Sequence, residues 1–354
     1  MPLSASYFKK NFRFSFKART SRGLMKEKTS WFIKIHDREA IEPFGIGECG
    51  PLPGLSMDDR PDFEEKLSGI IDTINAGSLN VIDYEEILRF VGHGYPSIVF
   101  GLETALRDYQ NGGKRIIYKN DFVKGVPISI NGLIWMGDLD FMMDQINKKI
   151  AQGFTCIKIK VGSLDFEREC DILNYIRKRY FREDITIRLD ANGALKTEEV
   201  LFKLDEMAKY NIHSIEQPIK PGLIEMEELC RKSPIPVAFD EELIGKENHG
   251  QKETLLKLLK PQFIVLKPSL HGGLKGCKEW IALAESLKIG WWITSALESS
   301  IGLNAICQFA ADYNLRIPQG LGTGTIYENN ISSPLTLKDG TIFYDPHSAW
   351  DETL

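Results

Sequence analysis

The strongest constraint on this chain lies after Gly125, where short apolar, β-branched runs alternate with stretches of helical period. The runs fall at 127–130, 156–161, 185–189, 214–216, 237–239, 263–266, 291–293 and 316–317. Helical patterns at 138–152, 165–180, 197–210, 273–287 and 300–312 lie between them. Such alternation means parallel strands joined by crossover helices. Eight runs predict an α/β fold of the (β/α)8-type barrel class. The rival, a doubly wound open sheet, wants a glycine-rich phosphate turn after its first strand. Ser129, Ile130, Asn131, Gly132 and Leu133 do not supply one. The span is lean beside the ~250 residues typical of such barrels, so little of it is left to roof its own active end.

Residues 1–124 read as a separate α+β unit. Stretches 4–18 and 30–36 alternate as strands do, 44–49 offers a third strand, and helical patterns follow at 61–75, 84–91 and 97–111. A polar connection, 19–28, joins the first two strands, and the Gly- and Pro-rich 50–56 reads as a loop. This unit is expected to cap the barrel, with 19–25 and 50–56 closing over the pocket. The expected domains are 1–124 as the cap, 125–325 as the catalytic barrel, and 326–354 as a segment returning to the cap through a strand-like piece at 341–344.

Composition narrows the function. With 43% hydrophobic and 26% charged residues the chain is an ordinary globular protein, and its net charge of −5 gives no reason to expect nucleic acid or an anionic membrane as partner. No apolar run approaches the ~20 residues of a membrane helix, and the polar start lacks the apolar core of a signal peptide. None of the six cysteines forms a C-x-x-C pair, which speaks against zinc or redox chemistry. A cytoplasmic enzyme is expected. The six histidines fall in separate segments; His213 precedes strand four, at the wrong end for catalysis, and His271 reads as a solvated loop residue.

In such barrels the active site lies at the C-terminal ends of the strands. Those ends carry Lys158 and Lys160, Arg188 and Asp190, Glu216, Asp240 followed by Glu241 and Glu242, Lys267, and Thr294 with Ser295. The steps from Asp190 to Glu216, Glu216 to Asp240 and Asp240 to Lys267 are 26, 24 and 27 residues, each about one βα unit. Three neighbouring strand ends thus present one carboxylate each. Carboxylates that close repel unless a cation sits between them, and three oxygen donors suit Mg²⁺, a hard octahedral ion. In a strand, residues i and i+2 share a face, so Lys158 and Lys160 enter the barrel together and Arg188 shares the face of Asp190. A lysine beside a second cation and a metal is expected to have a pKa lowered towards 7–8, where it works as a base. The indicated chemistry is removal of a proton next to a substrate carboxylate. Ser295 and Thr294 are equally readable as caps of the helix starting near Ser299.

These motifs carry a resemblance. The K-x-K of Lys158 and Lys160, the D-x-N of Asp190 and Asn192, the E-Q-P of Glu216, Gln217 and Pro218, the D-E of Asp240 and Glu241, and Lys267 on strand six resemble the enolase superfamily, in its muconate lactonizing enzyme subgroup, over nearly the whole chain. Residues 291–295 hold no histidine, which a mandelate racemase-type member would place at strand seven. Within the subgroup, 47–56, 266–269, 295–302 and 320–323 are most similar to the family that dehydrates 2-succinyl-6-hydroxy-2,4-cyclohexadiene-1-carboxylate to o-succinylbenzoate in menaquinone biosynthesis. The resemblance implies a modified, enolase-like barrel with an α+β N-terminal cap. It implies Mg²⁺, with Mn²⁺ as a substitute, held by Asp190, Glu216 and Asp240. Lys160 would be the base and then the acid, Lys158 its support, and Lys267 a cation for the enediolate. Substrate contacts are expected of Arg188, Ser295, Asn131, Gly320, Leu321 and Thr323, the substrate being a small carboxylate. Oligomerisation stays open. The alternatives are an N-acylamino acid racemase, a dipeptide epimerase (which would want an Asp-x-Asp at strand eight, where 320–325 has no acid), or a catalytically inactive metal-binding barrel.

Overall fold

The computed structural model describes residues 3–20, 23–77 and 84–351. The cap opens with an antiparallel meander, β1 (Leu3–Thr20), β2 (Gly23–Asp37) and β3 (Ala40–Cys49), in that order. The expected polar connection at 19–28 is instead strand. Pairing runs out to Thr20 opposite Gly23, with an irregularity between Arg13 and Ala18, and residues 21 and 22 lie outside the described ones. An antiparallel ribbon needs only one covered face, so polarity there did not exclude a strand. Helices α1 (Phe63–Asn75), α2 (Tyr84–Val91) and α3 (Pro96–Gln110) cover the meander, burying Ile33, Ile35, Leu67, Ile70, Ile98 and Leu102. Strand β3 lies directly on α3: a Cβ at Gly47 would stand 1.8 Å from the Gly101 carbonyl, a contact only glycine permits.

The barrel follows. Its strands are β5 (Gly132–Ile134), β6 (Cys156–Lys160), β7 (Thr186–Asp190), β8 (Ile212–Glu216), β9 (Val237–Phe239), β10 (Phe263–Leu266) and β11 (Gly290–Ile293), seven in one parallel sheet among the described residues. The crossovers are α4 (Leu139–Ala151), α5 (Phe166–Arg179), α6 (Val200–Ala208), α7 (Glu225–Lys232), α8 (His249–Leu259) and α9 (Gly273–Ser286), and α10 (Ser300–Ala310) follows β11. Strands two to seven fall where the hydrophobic runs placed them. The first and eighth do not. The run at 127–130 becomes β4 (Ile128–Ser129) outside the barrel, and β5 supplies the first barrel strand from the residues just beyond that run. Closure is made by Gln319 and Gly320, two residues beyond the expected eighth run, through single bridges to Ile130 and Thr294. A Cβ on Gly320 would meet the Thr294 side chain at 2.2 Å, so the join is narrow enough to require glycine.

The C-terminal segment divides. Residues 326–328 pair with β1, through Ser15 N–H to the Ile326 carbonyl (2.9 Å) and Glu328 N–H to the Arg13 carbonyl (2.9 Å). Strands β12 (Leu335–Lys338) and β13 (Thr341–Tyr344) instead join β4, and their turn packs on Gly153, just ahead of β6. They therefore sit at the end of the barrel away from the strand C-termini. Phe12, Phe14, Leu52, Trp135, Leu297 and Tyr327 form the apolar seam between cap and barrel mouth.

Candidate active site

Strand register sets the site. Lys160 is level with Asp190, and Asp190 with Glu216; Lys158 is level with Arg188, one step deeper. The long Lys158 stem carries its ammonium up to the carboxylates, 2.8 Å from Asp190 and 2.7 Å from Glu216. Lys160 stands 2.6 Å from Asp190 and donates to Asn192 Oδ1 at 2.6 Å. From the other side, Lys267 is ion-paired with Asp240. All three carboxylates are buried, and each is engaged by a lysine.

The charges tune one another. Burial works against the Lys158 ammonium, but Asp190, Glu216 and Asp240 outweigh it and hold its pKa above the ordinary lysine value. Burial likewise opposes the Lys267 charge and is outweighed by Asp240 and Glu216. Each of these cations faces carboxylates more closely than it faces the other lysines. Burial would raise Asp190, yet Lys158 and Lys160 hold it well below the usual carboxylate range. Glu216 goes up, from burial and then from Asp190 beside it.

The pocket above this cluster is lined by Lys158, Lys160, Lys267, Asp190, Asn131, Asn192, Ser295, Gly320 and Thr323. Leu52 and Leu55 of the cap's 50–56 loop form part of its wall. The other lid candidate, 19–25, has residues 21 and 22 outside the described ones; Met25 packs in the seam. Ser295 does not cap a helix. Ser299 does, accepting from Ile301 N–H, while Ser295 Oγ meets Thr323 Oγ1 at 2.6 Å on the pocket wall.

Two expected substrate contacts lie elsewhere. Arg188 is 1% exposed on the barrel floor, its guanidinium 4.2 Å from the Trp292 ring and bonded to the Pro318 carbonyl at 2.8 Å. Strand parity put it on the right face but one layer too deep. Leu321 faces the main apolar core. His271 is not solvated: it is 5% exposed, accepts Lys267 N–H at Nδ1 (3.0 Å), and is held neutral by burial, its pKa down to about 3. Glu241 accepts from Asn192 at 2.9 Å, and Glu242 from Gln217 and Gly222, so of the three acids at this strand end Asp240 is the one that meets Lys267.

Sequence reasoning named Asn192 and Gln217 only as motif members and gave neither a role. Asn192, just past the end of β7, accepts from Lys160 and donates to Glu241. Gln217 ties β8 to β9, accepting the Glu242 N–H at 3.0 Å and donating to the Ile219 carbonyl at 3.0 Å; no spacing rule announces it. Leu133 and Trp135, which the sequence did not single out as site residues, also line the pocket.

Metal-binding chemistry is the remaining question. Among the described residues no three His, Cys, Asp or Glu groups form a ready-made cation cage; the Lys158 ammonium stands between Asp190 and Glu216 instead. The donors themselves fit a hard cation. They are all carboxylate oxygens, and Asp240 Oδ1 is buried with no hydrogen-bond partner.

Residues 142–348 match the model of the enolase C-terminal domain-like family. The chain belongs to the enolase superfamily. It is 37% identical to the o-succinylbenzoate synthase of Desulfotalea psychrophila, over 96% of this chain and 98% of that one. The crystal structure of MenC from the same organism superposes with a TM-score of 0.86 at 36% identity, covering 97% of this chain and 100% of that chain. The L-Ala-D/L-Glu epimerase of Bacillus subtilis is 26% identical, over 75% of this chain and 74% of its own.

Proposed function

We infer that this enzyme is a carbon–oxygen lyase that dehydrates 2-succinyl-6-hydroxy-2,4-cyclohexadiene-1-carboxylate to o-succinylbenzoate in menaquinone (vitamin K2) biosynthesis. The observation that carries the reading is the near full-length 37% identity to an o-succinylbenzoate synthase. A pocket wall bearing three lysines above buried carboxylates supplies the means.

The residue roles are our proposal. Lys160, steadied by Asn192, takes the proton from the carbon bearing the carboxylate. The bond from the neighbouring ring carbon to its hydroxyl then breaks, Lys160 returns the proton to that oxygen, and water leaves an aromatic ring. One group on one face thus serves as base and then acid. Lys267, on the opposite wall, stays charged and faces the electron density that builds up when the proton departs. Lys158 holds Asp190 and Glu216 together. Asn131, Ser295, Gly320 and Thr323 offer polar contacts to the substrate; the Asn131 amide oxygen is buried without a protein partner.

Asp190, Glu216 and Asp240 are the residues that would hold Mg²⁺, with Mn²⁺ as substitute, and Lys158 would have to yield its shared contacts. When bound, the ion supplies positive charge for the substrate carboxylate and for the charge that proton removal adds to it.

The rival with a specific foothold is an N-acylamino acid racemase, because Lys160 and Lys267 approach from opposite walls. An epimerase of dipeptides would want an acid within 320–325, which has none. An inactive barrel would have no use for two buried lysines and a half-buried third at its mouth. The wider reading is of a cytoplasmic enzyme whose partner is a small carboxylate, with no nucleic-acid or membrane partner. Among the described residues no helix is long and apolar enough to cross a membrane. The test is a pair of assays on the wild-type enzyme, dehydration and α-proton exchange of N-succinyl amino acids in D₂O. Dehydration is expected to dominate; efficient exchange with negligible dehydration promotes the racemase.

A further inference from the structure

One buried cation takes no part in the chemistry above. Lys28, on β2, is 1% exposed, and its ammonium donates to Ser30 Oγ at 3.1 Å. Ser30 Oγ in turn donates to Glu48 Oε1 at 2.7 Å. Glu48 is fully buried and crosses the seam, accepting Ser299 N–H and Gly302 N–H at 3.0 Å and Ser299 Oγ at 2.6 Å. A carboxylate from the cap therefore satisfies the open amide groups at the start of α10, where the helix dipole favours negative charge. Four residues ahead of Gly302 lies Glu298, also fully buried, which accepts Ala296 N–H at 2.7 Å and a bond from Ser269 Oγ. The charges of Glu48, Glu298 and Asp58 all bear on Lys28.

The placement matters because this ammonium lies against one pocket-lining loop and is linked, through Ser30 and Glu48, to the other. On the cap side it lies against Gly50, where an added Cβ would come within 2.5 Å of Nζ; Gly50 begins the loop whose Leu52 and Leu55 reach the pocket. On the barrel side, the relay through Ser30 and Glu48 ends on Ser299, which follows Ser295, Ala296 and Leu297 of the same pocket. A buried charge left without its partner is costly, whereas a neutral pair of similar shape is tolerated, so these loops are held in register by a contact that cannot be half made.

We propose that Lys28 is a positioning residue, a buried latch that holds the cap's 50–56 loop against the barrel's 294–299 loop and so sets the pocket wall that grips the substrate. It touches neither the substrate nor Lys160. Its loss therefore weakens binding of substrate and transition state alike, which raises KM and spares kcat. The latch rests on the dehydratase reading only for its kinetic assay.

The experiment compares the full-length wild type, Lys28→Met, Glu48→Gln and the double variant Lys28→Met/Glu48→Gln, in dehydration kinetics and in backbone hydrogen exchange over 50–56. Lys28→Met should raise KM by about tenfold, with kcat within about threefold, and speed exchange in the loop. The double variant, with no uncompensated Glu48 charge, should recover most of the KM and the protection. A folded Lys28→Met with wild-type KM and wild-type exchange overturns the latch. So does a loss confined to kcat, a double variant as impaired as the two changes summed, or failure of all three variants to fold. Absence of dehydration in the wild type strikes the functional reading alone; loop exchange then still decides the latch.

Discussion

The mouth and the floor of the barrel both bury charge, and they bury it differently. At the mouth, three lysines and three carboxylates converge within ion-pair distance around an open pocket. On the floor, Arg188 lies over Trp292 with His213 nearby; its Nε and Nη2 have no protein partner, and burial lowers its pKa. His213, neutralised by burial, has its pKa down to about 4. The lesson is that burial of an ionisable group does not by itself mark a site. Opposite charges that converge on a space a substrate can enter do.

The comparison can be broken at the mouth first. Excess chelator should reduce turnover to background, and Mg²⁺ or Mn²⁺ should restore it; Asp190→Asn and Glu216→Gln should fold and stay inactive. Full activity in excess chelator contradicts the proposed metal site. A smaller effect is expected at Lys267. Arginine keeps the cation but is a poor acid–base group, so Lys267→Arg should retain about tenfold more dehydration than Lys267→Ala, while any racemisation of N-succinyl amino acids vanishes in both. Equal dehydration by the two variants removes the electrostatic role. The smallest effect belongs to the floor. Arg188 does not line the pocket, so a folded Arg188→Met should change kcat/KM less than about threefold. A hundredfold loss would return Arg188 to the site.

The sequence revealed the mouth better than the floor, for a physical reason. Residues at strand ends are named by two regularities, the repeat of the βα unit and the period of two along a strand, and these located Lys158, Lys160, Asp190, Glu216, Asp240 and Lys267. Neither reports depth. Arg188 obeys the same parity as Asp190 yet lies a layer below it. Strand one and the closing segment were misplaced because their pairing is short, three residues at β5 and single bridges at Gln319 and Gly320, too little for a hydrophobic period to form. The outer part of β2 was hidden by its polarity. Lys28 looked like loop charge because its burial comes from the barrel across the seam, which no local pattern encodes.

The central claim is that one lysine on one wall moves the proton. Its most direct test is single-turnover dehydration by Lys160→Ala beside the wild type, with circular dichroism to establish the fold. The expected result is a loss of about 10²–10⁴-fold in the chemical step in a protein that remains folded. A folded Lys160→Ala that dehydrates within tenfold of the wild type would contradict it.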